Sequence, residues 1–309
     1  MTKNQSNKTV RRLGDVVFSN TALVAGVSIL ITLAAVAFFL LLQSLPAFSG
    51  DPVEAAPDGF WAYVFPFIFG TTLASTIALV IATPLAIGIA LYISHFANRR
   101  FAQLLGYAVD LLAAIPSVVY GLWGILVLAP FLSPTYMWLN ENLGFLPLFE
   151  GQVSATGRTI LTVGIVLAIM VLPIMAALIR EVFLQTPRLH EEAALALGAT
   201  RWEMIRMAVL PFGRPGIISA AMLGLGRALG ETMAVAMVLS PSTVISFALL
   251  TSTNPNTIAA NIALQFPEAG GNYVNLLIAT GLVLFAITML VNMGARWIIN
   301  RRAEFSGAN

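Results

Sequence analysis

The stretch Glu191–Thr232 reads EEAALALGATRWEMIRMAVLPFGRPGIISAAMLGLGRALGET, and the rest of the chain is interpreted around it. Its first half mixes charged and apolar residues, which is typical of short amphipathic helices at a water-facing surface. Its second half is apolar apart from Arg227 and Glu231, so these two charges are expected inside a membrane. Together the two halves indicate a transport subunit that is driven by another protein.

Composition places the whole chain among membrane proteins. Of its 309 residues, 58% are hydrophobic and 10% are charged, whereas a soluble domain carries about 25% charged residues. The chain has no cysteine and no glycine-rich Walker-type loop, and His95 and His190 belong to no metal-ligand motif. We therefore expect neither an enzyme nor a cofactor-binding or nucleic-acid-binding protein.

Six apolar stretches are long enough to cross a bilayer, which predicts an all-α polytopic membrane protein. The first could instead be a signal peptide, but its apolar core is too long and no small-residue cleavage site follows it, which favours a retained helix. The predicted spans are Asn20–Leu42, Pro66–Ser94, Leu104–Leu132, Thr159–Phe183, Gly216–Leu239 and Asn275–Ile299.

The distribution of lysine and arginine predicts the orientation of these spans. Basic residues gather at both chain ends and in the links after the second and fourth spans, while the loops 44–65 and 240–274 contain none. Arg158 is the exception. By the positive-inside rule, both termini are cytoplasmic in a multi-pass inner-membrane protein.

The chain forms one membrane domain without a second soluble unit. We expect a cytoplasmic tail over 1–19, a first helix and outer loop over 20–64, a core over 65–299 that includes a cytoplasmic segment 186–215, and a cytoplasmic tail over 300–309.

The segment 186–215 is predicted to form short amphipathic helices. Pro187 suits a first helical position, Gly198 a C-terminal cap, and Thr200 with Glu203 a capping box. Pro211 should end the second helix because proline has no backbone N–H to donate. Such a segment either inserts into a groove of a soluble partner or lies on lipid headgroups.

A family resemblance favours the soluble partner. Glu192-Ala193-Ala194, Gly198 and Leu210-Pro211 have the spacing of the EAA motif of binding-protein-dependent ABC importer permeases, with Ala208 in place of its isoleucine. The resemblance implies the MetI-like fold of type I ABC importers. It also implies that 186–215, hereafter the coupling segment, docks on a cytosolic ATP-binding subunit through Glu192, Ala193, Ala194, Gly198, Leu210 and Pro211.

Two further motifs resemble the PstC-type branch of phosphate ABC permeases. They are DLLAAIPSVVYG at 110–121 and GRALGETM at 226–233. This resemblance implies a phosphate pathway shared with a second, PstA-type permease. It also implies two copies of the ATP-binding subunit and a periplasmic or surface-anchored phosphate-binding protein. Permeases for sulfate or molybdate are the nearest alternative.

Arg227 and Glu231 are the candidate pathway residues. At a spacing of four they are expected to share one helix face, where they can form an ion pair. The pair then either packs neutrally against a neighbouring helix or presents Arg227 to a passing phosphate, whose geometry a guanidinium matches. An ion-coupled secondary transporter would also bury charges, but it usually shows repeated halves, and none is evident here.

Overall fold

The computed structural model describes residues 13–49 and 56–303, and over these it is built from helices. The basic residues Lys3, Lys8, Arg11 and Arg12, the loop residues Asp51 and Glu54, and residues 304–309 lie outside the described part. The α-helices are α1 Leu13–Ser49, α2 Phe60–Leu91, α3 Arg99–Ala113, α4 Ser117–Trp123, α5 Ala129–Leu143, α6 Ile160–Leu184, α7 Arg188–Ala196, α8 Arg201–Met204, α9 Leu210–Leu229, α10 Met233–Val238, α11 Ile258–Gln265 and α12 Asn272–Ala303. Single π-helical turns follow α2 at Tyr92–Phe96, α4 at Gly124–Leu128 and α8 at Ile205–Val209.

The helix α6 forms the centre of the fold. Thr159 caps its start by accepting a hydrogen bond from the Thr162 backbone N–H, and its side chains are apolar nearly all round, as expected for a buried helix. It packs against α2, α3 and α9. The face of α2 within this core carries a stripe of alanines four residues apart, which allows close approach of neighbouring helices. The fully buried alanines of this stripe are Ala74, Ala78, Ala82, Ala86 and Ala90.

Six helical runs in the described residues are long and apolar enough to cross a bilayer, as predicted. The first, second, fourth and sixth contain or closely match the predicted spans. The six are Leu13–Phe48, Phe60–Phe96, Ser117–Leu143, Ile160–Leu184, Arg201–Leu229 and Asn272–Trp297.

The predicted third span, Leu104–Leu132, is wrong. Its first part belongs to α3, a separate amphipathic helix on which Asp110 is exposed. Pro116 adopts an extended conformation between α3 and α4, so the spanning run begins only at Ser117. Average hydropathy does not separate an amphipathic helix from the apolar span beside it, and this merged the two in the prediction.

The predicted fifth span, Gly216–Leu239, is also wrong at both ends. The helical run begins at Arg201 and continues through the π turn and Pro211, so Pro211 does not end a helix. A π turn is a site at which a helix can accommodate proline without stopping. At its other end the run stops at Leu229, with Gly230 as the C-cap, and α10 starts only at Met233.

Candidate functional site: the coupling segment and a cleft with two arginines

The coupling segment begins as a helix–turn–helix whose first helix, α7, is exposed. None of the side chains of α7 is buried. Gly198 follows α7 with φ +85°, a conformation that favours glycine, as predicted for a C-terminal cap. Thr200 and Glu203 form the predicted capping box: the Thr200 backbone N–H donates to Glu203 Oε2 at 2.7 Å, and the Glu203 N–H donates to Thr200 Oγ1 at 3.3 Å. Pro187, however, is the N-cap of α7 and not its first residue.

The residues of the EAA motif divide between the surface and the core. Glu192, Ala193 and Gly198 are exposed, and so is Pro211. Ala194 and Leu210 are partly buried and pack against the main hydrophobic core. The motif therefore both shapes the outer surface of the segment and anchors it to the membrane helices.

Sequence reasoning missed a set of large apolar side chains on this surface. Leu197 is 90% exposed and Trp202 is 57% exposed. Leu189 and Leu195 are exposed on α7 as well. The mixture of leucine with charge in the sequence was the available signal for these exposed apolar side chains.

A contact between His95 and Glu191 ties α7 to the end of the second span. His95 Nε2 lies 3.4 Å from Glu191 Oε1, and His95 Nδ1 lies 2.6 Å from Ser94 Oγ. His95 belongs to the π turn that ends this span. The start of the coupling segment is thus held against a membrane helix that packs on α6.

The structure does not pair Arg227 with Glu231. Because α9 stops at Leu229, the two residues do not share one helix face, and within the described residues no ion pair joins them. Glu231 is buried, and its Oε1 accepts a hydrogen bond from the Ala234 backbone N–H at 3.1 Å. The predicted ion pair is wrong because Gly230 interrupts the helix between its two members.

Arg227 lies instead on a cleft between α6, α9 and α12, hereafter the central cleft. Its volume is about 630 Å³, and its lining includes a second arginine, Arg296, together with Asn292 and Ser219. The lining contains no Asp or Glu. Arg227 is half-buried and Arg296 is exposed, and within the described part of the chain neither guanidinium makes a hydrogen bond or ion pair.

The two motifs of the phosphate-permease resemblance lie next to each other in space. Helix α4, which holds Tyr120 and Gly121, packs on α10 so closely that a Cβ on Gly121 would lie 2.8 Å from Ala234 Cα. The Tyr120 hydroxyl donates to the Leu112 carbonyl at 2.9 Å. The motifs therefore frame the break that follows Arg227.

Arg158, the exception to the charge pattern, has a structural partner. Its Nε and Nη2 donate to the carbonyls of Val238 and Met237 at 3.1 and 3.3 Å. These carbonyls end α10, where a cation is favoured by the helix dipole.

Beyond α10, a cleft of about 690 Å³ is lined by hydroxyl-bearing residues that include Ser246, Thr251 and Thr253.

Comparison with known proteins identifies close relatives over nearly the whole chain. Residues 82–304 match the family described as "Binding-protein-dependent transport system inner membrane component". The phosphate transport system permease protein PstC 2 of Mycobacterium tuberculosis is 45% identical over 93% of this chain and 92% of its own. The phosphate transport system permease protein PstC of Mesorhizobium japonicum is 39% identical over 99% and 97%.

Solved structures show the same fold at low sequence identity. A bacterial alginate ABC transporter in complex with its pentasaccharide-bound periplasmic protein contains a chain that is 17% identical, with a TM-score of 0.64 and coverage of 93% of this chain and 95% of that one. A chain of the MetNI methionine ABC transporter gives a TM-score of 0.52 at 15% identity, covering 77% and 93%.

Proposed function

This chain belongs to the family of binding-protein-dependent transport system inner membrane components, and we propose that it forms half of the translocation pathway of an ATP-driven importer of inorganic phosphate. The observation that carries this proposal is the likeness, over more than nine tenths of the chain, to relatives named as phosphate permeases. The central cleft supports it, because two guanidiniums without a carboxylate favour an anion.

In this proposal the chain works with four kinds of partner. A second, PstA-type permease completes the pathway, and a phosphate-binding protein delivers the ion at the outer face. Two copies of a cytosolic ATP-binding subunit hydrolyse ATP, and the lipid bilayer surrounds the assembly. Both termini are cytoplasmic, and the permease core extends over 65–299.

The coupling segment is the proposed docking site for the ATP-binding subunit. Its exposed apolar residues Leu197 and Trp202 flank the exposed turn at Gly198 in sequence, and a groove in that subunit would cover them. When ATP binding draws the two subunits together, the segment moves with them. The run Arg201–Leu229 transmits this movement to the cleft, because it continues from the segment to Arg227.

Arg227 is the proposed contact for phosphate within the membrane. A charge at this depth costs about 2.5–3.5 kcal/mol even on lenient scales, so it is expected to serve a pathway or a partner. Glu231 supports Arg227 indirectly, since its carboxylate holds the start of α10 and thereby the break after Leu229.

Uptake measurements test this function. In a strain that lacks the gene, we expect the wild-type chain to restore uptake of radiolabelled phosphate at low concentration and to leave sulfate uptake unchanged. Arg227→Ala should abolish phosphate uptake while the complex still assembles, and Arg227→Lys should retain part of it. If the wild-type chain restored sulfate uptake instead, the assignment of phosphate as the substrate would be refuted. If Arg227→Ala failed to copurify with its partners, Arg227 would have a packing role.

A further inference from the structure

Arg296 shares the central cleft with Arg227 but lies at a different depth. The helices α12 and α2 start on the same side of the membrane. The hydroxyl of Tyr273, the second residue of α12, lies 3.5 Å from that of Tyr63 near the start of α2. The other end of α2 leads to His95, which contacts the coupling segment. The α12 helix therefore runs toward the side of the coupling segment. Arg296 lies about 24 residues, or about 36 Å, from the start of α12. This distance exceeds the roughly 30 Å thickness of a hydrocarbon core, so Arg296 lies at the membrane surface on that side.

Arg227 lies near the middle of the membrane helices. A Cβ on Gly224, one turn before Arg227, would lie 2.6 Å from Met175 Sδ and 3.7 Å from Val171 Cβ. Both residues are near the midpoint of α6, whose bounds are Ile160–Leu184. The central cleft thus connects one guanidinium at mid-depth to a second at the rim on the coupling-segment side.

The chemistry of the rim suits the same ligand as Arg227. The guanidinium of Arg296 and the amide of Asn292 lie one helical turn apart on α12, and both line the cleft. Together they offer several N–H donors and no negative charge. A conduit also needs several weak binding sites, because a single tight site would not release the ion.

We propose that Arg296 and Asn292 form a second binding position for a phosphate-type anion, which receives the ion after Arg227 and releases it on the side of the coupling segment. This proposal rests on the proposed function of the chain. A lipid phosphate headgroup offers the same chemistry at this depth, so the test has to separate the transported ion from lipid.

Transport by the whole complex in vesicles makes this separation. The complex with its partner permease, ATP-binding subunits and binding protein is reconstituted in phosphatidylcholine vesicles with and without phosphatidylglycerol, and ATP-driven uptake of radiolabelled phosphate is measured. We expect Arg296→Gln to lower the uptake rate about tenfold or more in both kinds of vesicle, and Arg296→Lys to lower it less. Arg100→Gln is the matched control, since Arg100 is an exposed arginine that lines none of the clefts described above.

Each other outcome overturns the inference. Wild-type uptake by Arg296→Gln in both vesicles, or loss confined to vesicles with phosphatidylglycerol, would show that Arg296 binds no transported ion or binds lipid. Loss of the partner permease from purified Arg296→Gln would make Arg296 an interface residue. A wild-type complex that imports sulfate but no phosphate would refute the proposed function and this inference together.

Discussion

The turn between α7 and α8 and the central cleft lie at opposite ends of the run Arg201–Leu229, and different kinds of interaction build them. In the turn between α7 and α8 the contacts are local: a glycine with positive φ and a capping box that joins residues three apart. In the cleft they are long-range, because α6, α9 and α12 meet there from distant parts of the chain. Substitutions in this turn should therefore act locally, and substitutions in the cleft should affect the packing of α6, α9 and α12.

The largest effect is expected at Gly224. Its Cα lies so close to α6 that a Cβ would meet the buried side chain of Met175 at 2.6 Å, whereas a Cβ on Gly226 would meet nothing within 4 Å. Gly224→Ala should lower the stability of the complex by about 1–3 kcal/mol through overpacking, and Gly226→Ala should leave it nearly unchanged. Thermal unfolding of the purified complex measures both. Equal midpoints for the two variants would show that α9 and α6 are not held together by this contact.

A smaller effect, confined to the coupling segment, is expected at Gly198. Its φ of +85° is strained for a β-branched residue, while a Cβ at this position would touch nothing. Gly198→Val should cost about 1–2 kcal/mol in the turn and weaken copurification with the ATP-binding subunit. Gly198→Asn should be tolerated better, since asparagine adopts this conformation more readily. If asparagine and valine weaken copurification equally, the exposed surface at this point matters and the backbone conformation does not.

The smallest effect is expected at Thr200. Thr200→Ala removes the cap of α8 and should cost about 1 kcal/mol of local stability, with Thr200→Ser as the control that keeps the hydroxyl. Amide hydrogen exchange should accelerate over residues 201–204 in the alanine variant alone. Acceleration that extends into α9 would mean that the capping box stabilises the entire run.

The same contrast explains what the sequence could predict. Gly198 and the Thr200–Glu203 box were predictable because their structure is set by residues within one helical turn. The number of spans followed from apolar length. The break after Leu229 was not predicted, because apolar residues resume at Met233 and the charged stretch between was taken as one face of a continuous helix. Arg296 and Asn292 were missed as cleft residues because they approach Arg227 only through the packing of α9 and α12.

The π turn at Ile205–Val209 has a mechanical consequence. By carrying the helical run past Pro211, it leaves a lever of 29 residues between the exposed end at Arg201 and Leu229. At 1.5 Å per residue this run is about 43 Å long, so a rigid rotation of about 10° about one end would move the other end by about 7.5 Å. Arg227 lies near the far end of this arm. A rigid rotation of the run about Arg201 would therefore displace this guanidinium by several ångströms.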